Sequence, residues 1–233
     1  MFKNLFTTKN IAVMGILTAI SYILYLLPKW IPVFNLPFFP AWLDIQISDL
    51  PALLGGFAIS PVAAVIIVVL KCALKLPLTS TSGVGELADV LIGIAFVLPA
   101  TLIYKYHKTK GFAVIGLIVG SLAATLVSVI ANRFILIPFY AWFFGHGDAE
   151  KGMQILVNSV SSLYKDVTQA TFYKYYLWLA VVPFNVLRCL LSSVITYFIY
   201  KPLSNALHWN IKTEKIVEEN SDAEKEKTFN KTL

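Results

Sequence analysis

The chain has 233 residues, 58% hydrophobic against 14% charged, with a formal net charge of +6 and a mean hydropathy of +0.72. That balance is too apolar for a soluble domain and leaves no length for a separate one beside a membrane body. Nor does the positive charge mark a nucleic-acid surface, because the basic residues stand at the ends of apolar runs rather than in a stripe with interleaved aromatics.

Lys3 and Lys9 precede an apolar run from Ile11 to Leu27. The run is too long for the core of a secretion signal, no A-x-A-like cleavage site follows, and more apolar segments come after it, so it reads as the first membrane span. Within it Ala12, Gly15 and Ala19 form a strip of small residues at helical spacing, which lets another helix approach closely in lipid. A helix of the same chain or of a partner would serve. The connection from Pro28 to Ser48 sets Pro28, Pro32, Pro37 and Pro40 among Trp30, Phe34, Phe38, Phe39 and Trp42. This composition suits a stiff flap over a site, or equally an aromatic belt at headgroup depth.

The stretch from Leu50 to Leu76 is long for one helix and is interrupted by Ser60-Pro61 after Gly55-Gly56. Charge decides how it is folded. Two further spans run from Leu87 to Tyr104 and from Phe112 to about Phe139, and the short loop between them carries Lys105, Lys108 and Lys110, which places it in the cytoplasm. With the amino terminus inside as well, an even number of helices precedes that loop, so Leu50 to Leu76 is predicted to be a hairpin turning at Ser60-Pro61. A long outer connection from Trp142 to Tyr175 contains a periodic stretch, Met153 to Leu163, that fits a surface helix. The last span runs from Tyr176 to Tyr200. The predicted molecule is therefore an all-α integral membrane protein, a six-transmembrane-helix bundle with both termini cytoplasmic. Residues 1–209 form the membrane domain. Residues 210–233, rich in lysine and acids and poor in apolar groups, form a disordered tail.

Polar residues inside these spans are the candidate site. A charge at the bilayer centre costs about 2.5 to 3.5 kcal/mol on insertion scales, so such groups face a cavity or pair with one another. Asn132-Arg133 forms one polar island, and Asn185 with Arg188, three residues apart on one helical face, forms another. Glu86 and Asp89 share a face at the outer start of the fourth helix. An amide carries both a donor and an acceptor, matching a heterocycle edge of alternating C=O and N–H groups, while an Arg supplies several donors for hydroxyls or an anion. The competing reading has Arg188 neutralised by Glu86 or Asp89 as a structural pair. No HExxH, GxSxG, CxxC or P-loop is present, so nothing points to catalysis. His107, His146 and His208 fall on loops or helix ends, and Cys72 and Cys189 read as small buried residues rather than metal ligands.

The run Asp49 to Phe57 (DLPALLGGF), then Ser60-Pro61, then Gly83 to Ala88 (GVGELA), then Asn132 with Pro138 and Tyr140, then Pro183-Phe184-Asn185, resembles the riboflavin-binding S components of energy-coupling factor (ECF) transporters. The resemblance spans residues 10 to about 205. It implies a non-enzymatic cell-membrane protein that captures a vitamin from outside and docks through its first helix, at Ala12, Gly15 and Ala19, on a transmembrane coupling protein driven by two ATPases. The flavin is the transported ligand, not a cofactor, and no metal is implied. It would lie between the first external loop, at Phe39, Trp42 and Leu43, and the outer parts of the last three helices, at Glu86, Asp89, Asn132, Tyr140, Asn185 and Arg188. Asn132 and Asn185 would read the polar edge of the ring and Arg188 the ribityl hydroxyls. The chain departs from the family where Arg188 replaces the usual Lys, Arg133 replaces an aromatic, Glu86 and Asp89 replace amides, and the segment from Trp142 to Tyr175 is longer. An S component for a flavin phosphate or another small vitamin is the alternative. A membrane-embedded enzyme fits less well, lacking a nucleophile–base pair or metal cluster.

Overall fold

The computed structural model describes residues 5–31, 38–40, 42–43, 45–79 and 81–199. The predicted tail 210–233, Tyr200, and Pro32, Phe34 and Pro37 of the first connection lie outside the described residues. Seven helices appear among the described residues: α1 (Thr8–Trp30), α2 (Leu50–Ala58), α3 (Pro61–Lys75, continued by a 3-10 turn Leu76–Leu78), α4 (Val84–Tyr106), α5 (Lys110–Phe144), α6 (Ala149–Ser161) and α7 (Phe172–Ile199). Five of them, α1, α3 with its 3-10 turn, α4, α5 and α7, are long and apolar enough to cross a bilayer. The described part of the chain is all-helical, and its long apolar helices are those of a multi-pass membrane protein.

The predicted hairpin at Ser60-Pro61 is present. Ser60 caps α3 by accepting the Ala63 N–H at 3.2 Å, and Pro61 occupies the first turn, where its missing N–H costs nothing. Its first arm, α2, has nine residues and rises only about 14 Å, roughly half the hydrocarbon core. Leu50 through Phe57 are all buried, so α2 is wrapped by other helices rather than by lipid. Leu5 and Met14 pack with Ala63, and Phe57 meets Tyr104 at 4.7 Å between ring centroids. The amino-terminal end of α1, the Ser60-Pro61 turn and the lysine-bearing α4–α5 loop therefore share one end of the bundle.

The core uses small residues, as lipid-soluble bundles do. Ala52, Ala63, Ala64, Ala100, Ala113 and Ala124 are fully buried, while Ile16, Leu122, Leu126, Trp178 and Phe198 face outward. On α5, Gly116 and Gly120 lie against the backbone of Ala100 and Phe96, where a Cβ would collide, so α4 and α5 cross in close contact. At the opposite end, a turn through His146 and Gly147, both at positive φ, reverses the chain into α6. This helix covers the predicted stretch Met153 to Leu163 except for its last two residues. Its buried face of Gly152, Leu156, Val157 and Val160 packs on the end of α5, with Gly152 directly against the Ala141 backbone.

Candidate functional site

Toward the end of the bundle opposite the α4–α5 loop lies a closed set of charges. Asp49, at the amino-terminal cap of α2, is ion-paired with Lys71 of α3 and receives Arg188 Nη2 of α7 at 2.8 Å. Arg188 Nη1 reaches Asp89 of α4 at 3.0 Å. The other Asp89 oxygen accepts the Tyr25 hydroxyl from α1 and Gln46 Nε2 at 3.1 Å. Lys71 also donates to Ser48 Oγ at 2.7 Å, Ser48 Oγ donates to Gln46 Oε1 at 2.9 Å, and Ser21 donates to the Ser48 carbonyl. Two acids and two bases thus neutralise each other where solvation is poor, the condition under which buried ions are tolerated. Of these, Asp49 and Lys71 are absent from the predicted site. The signal for Lys71 was a lone cation inside an apolar run, the same signal that marked Arg188.

Above this floor opens a cavity of about 190 Å³. Eight of the nine predicted ligand positions, Trp42, Leu43, Glu86, Asp89, Asn132, Tyr140, Asn185 and Arg188, line it. Phe39 does not; it packs edge-on against Phe184, which does, at 5.5 Å between centroids. Arg133 departs from the expectation for its polar island, and the competing reading of Arg188 as one half of a structural pair holds for Asp89 but not for Glu86. Arg133 points out of the bundle, exposed, with its guanidinium 4.0 Å over the Tyr173 ring, because adjacent helical residues face different ways. Arg188 pairs with Asp89 and Asp49 rather than Glu86. Glu86 instead accepts from Thr79 Oγ1 at 2.7 Å and Thr81 Oγ1 at 3.3 Å, with Lys75 at 3.6 Å. That arrangement depends on Gly83, whose φ of 85° lets its N–H turn back onto Thr79 Oγ1 just before α4 begins.

The two predicted amides belong to helices carrying π-helical segments, Asn132–Leu136 in α5 and Tyr176–Val181 in α7. Such segments are rare, favour functional sites, and re-phase the side chains beyond them. Each is followed by a proline, Pro138 and Pro183, which cannot donate to the carbonyl four residues back. For Pro183 that carbonyl belongs to Leu179, and the Tyr164 hydroxyl is shared between it, at 3.1 Å, and the Phe38 carbonyl, at 2.8 Å. The first segment brings Asn132 Oδ1 to the Tyr176 hydroxyl at 2.9 Å, and Trp42 Nε1 donates to the same hydroxyl at 3.0 Å. Asn132 Nδ2 donates to the Ser128 carbonyl at 2.9 Å, so its amide is engaged within the protein. Asn185 differs. Its Nδ2 donates to the Val181 carbonyl at 2.9 Å, but its Oδ1 is buried without a partner while the residue lines the cavity.

The result is a slot with aromatic walls at Trp42, Tyr140 and Phe184, an unused acceptor at Asn185, and a neutralised floor. Such an arrangement suits a planar ligand with a polar edge. Away from it, Ala12, Gly15 and Ala19 lie exposed on the outer face of α1, and a Cβ on Gly15 would meet nothing within 4 Å. That strip packs against no helix among the described residues. Cys72 and Cys189 are buried free thiols.

A family model for the ECF transporter substrate-specific component matches residues 9–200. The riboflavin transporter RibU of Staphylococcus aureus (strain TCH60) is 28% identical over 204 residues, covering 88% of this chain and 95% of that protein. The riboflavin transporter FmnP of Bacillus subtilis (strain 168) is 30% identical over 139 residues, covering 58% of this chain and 70% of that protein. Among solved structures, one described as "Structure and mechanism of the S component of a bacterial ECF transporter" is similar with a TM-score of 0.62 at 27% identity, covering 85% of this chain and 97% of that chain.

Proposed function

The chain belongs to the family of ECF transporter substrate-specific components, and we propose that it captures riboflavin from outside the cell and hands it inward through the ECF module. Members of this family are transport subunits rather than enzymes, so the site has to bind and release its ligand without covalent chemistry. The observation that carries the flavin reading is the unpaired, buried Oδ1 of Asn185, a residue that lines an aromatic-walled cavity. A buried acceptor without a donor costs about 1 to 3 kcal/mol, and an imide N–H on the edge of a planar ring relieves it. The isoalloxazine ring then lies against Trp42, Tyr140 and Phe184, with Phe39 buttressing Phe184 and Leu43, Glu86, Asp89 and Asn132 completing the wall. Arg188, held by two carboxylates, shapes the floor.

The lysine distribution and the exposed face of α1 support the remaining parts of the reading. The bundle counts six membrane helices when the half-length α2 is included, sits in the cell membrane, and keeps both termini and the Lys105 to Lys110 loop in the cytoplasm. The exposed strip of Ala12, Gly15 and Ala19 docks on the transmembrane coupling protein, which two ATPases drive. Titrating riboflavin into purified protein and following flavin fluorescence tests the central claim. Saturable quenching is expected, and its absence from folded protein would refute the flavin assignment.

A further inference from the structure

The cations around the cavity are almost all committed. Arg188, the side chain whose planar fork would make it the natural receptor for a phosphate, has Nη1 on Asp89 and Nη2 on Asp49. Lys75 lies 3.6 Å from Glu86 and 3.7 Å over the Tyr25 ring. Lys71, behind the floor, is paired with Asp49. Among the described lining residues this leaves Lys29, which is exposed at the rim and donates to the Leu78 carbonyl at 3.0 Å. Glu86 and Asp89 meanwhile present carboxylates to the same space.

We infer that Asp49 and Asp89 determine ligand charge: by occupying both sides of the Arg188 guanidinium they withhold it from anions, so the cavity takes an uncharged flavin in preference to a flavin phosphate. The inference rests on the flavin reading above. Its physical basis is solvation. A phosphate monoester carries about −1.5 to −2 charges at neutral pH, and burying it means losing its water. Where each buried cation already has a carboxylate, no uncompensated charge offsets that loss, and the carboxylates on the wall add repulsion. Asp89 does this from the cavity wall. Asp49 does not line the cavity and is a positioning residue that acts through Arg188.

Calorimetry with riboflavin and riboflavin 5′-phosphate on the wild type and on Asp49→Asn, Asp89→Asn and Glu86→Gln tests this, the readout being the ratio of the two affinities. The wild type is expected to prefer riboflavin by tenfold or more. Asp49→Asn and Asp89→Asn, by loosening Arg188, and Glu86→Gln, by freeing Lys75, are expected to narrow that ratio at least threefold. A role in fold alone would weaken both ligands together and leave the ratio fixed. If one aspartate variant fails to fold, the wild-type ratio and the other aspartate variant decide the matter. Equal affinities in the wild type, or a ratio that no folded variant moves, overturn the inference while leaving the flavin reading intact. Absence of riboflavin binding by the wild type overturns both.

Discussion

At the scale of single residues, Asn185 and Arg188 share a helical face but do different work. Asn185 lines the cavity and keeps a buried acceptor without a partner, and its side-chain amide donates locally, to Val181. Asn185→Ala is expected to weaken riboflavin binding ten- to a hundredfold, about 1.4 kcal/mol per tenfold, with little change in thermal stability. Fluorescence titration alongside a melting curve checks both halves. Arg188 is the reverse case. Arg188→Met strands Asp89 in the bundle, and breaking a buried pair from one side costs about 3 to 5 kcal/mol. Thermal unfolding in detergent should therefore drop sharply, and Arg188→Met with Asp89→Asn should recover part of the loss. A double variant no more stable than the single one would mean that the charges do not interact as the distances imply.

Among the elements, two strips of small residues face opposite ways. Gly116 and Gly120 of α5 sit against the α4 backbone, whereas Gly15 of α1 faces open space. Gly120→Leu is expected to destabilise the isolated protein, because a side chain there meets the Phe96 carbonyl and has no flexible neighbour to displace. Gly15→Leu and Ala19→Leu should leave stability and riboflavin binding unchanged while abolishing uptake by the assembled transporter, since bulk on that face blocks close helix approach. Binding by purified variants, compared with uptake in cells, separates the two strips. Loss of riboflavin binding in Gly15→Leu would place the strip inside the functional bundle instead. The sequence motif alone is the same in both places; only packing tells them apart.

For the whole molecule, the proposed orientation rests on where the lysines gather. The α4–α5 loop and α6 lie at opposite ends, so outside labelling of intact cells should reach Lys151→Cys but not Lys108→Cys. Both native cysteines are buried and should stay silent. The reverse pattern would invert the topology and move the cavity to the cytoplasmic side. Much of this architecture was legible beforehand, because hydropathy fixes the long spans and Ser60-Pro61 combines a capping hydroxyl with the residue that most readily starts a helix. Five cavity positions, Glu86, Asp89, Asn132, Asn185 and Arg188, were legible as well, since polar groups in apolar runs have few places to go, while Trp42, Leu43 and Tyr140 came from the family resemblance. The sequence by itself thus determined that this is a helical membrane protein with a polar site near one end, for reasons of solvation that need no coordinates. Only the tertiary structure decided that Arg188 is claimed by Asp49 and Asp89, that Arg133 faces outward onto Tyr173, and that Asn185 alone of the two amides keeps an acceptor free. Those outcomes depend on which helices meet, and on two π-helical segments whose extra residue per turn resets which face looks inward.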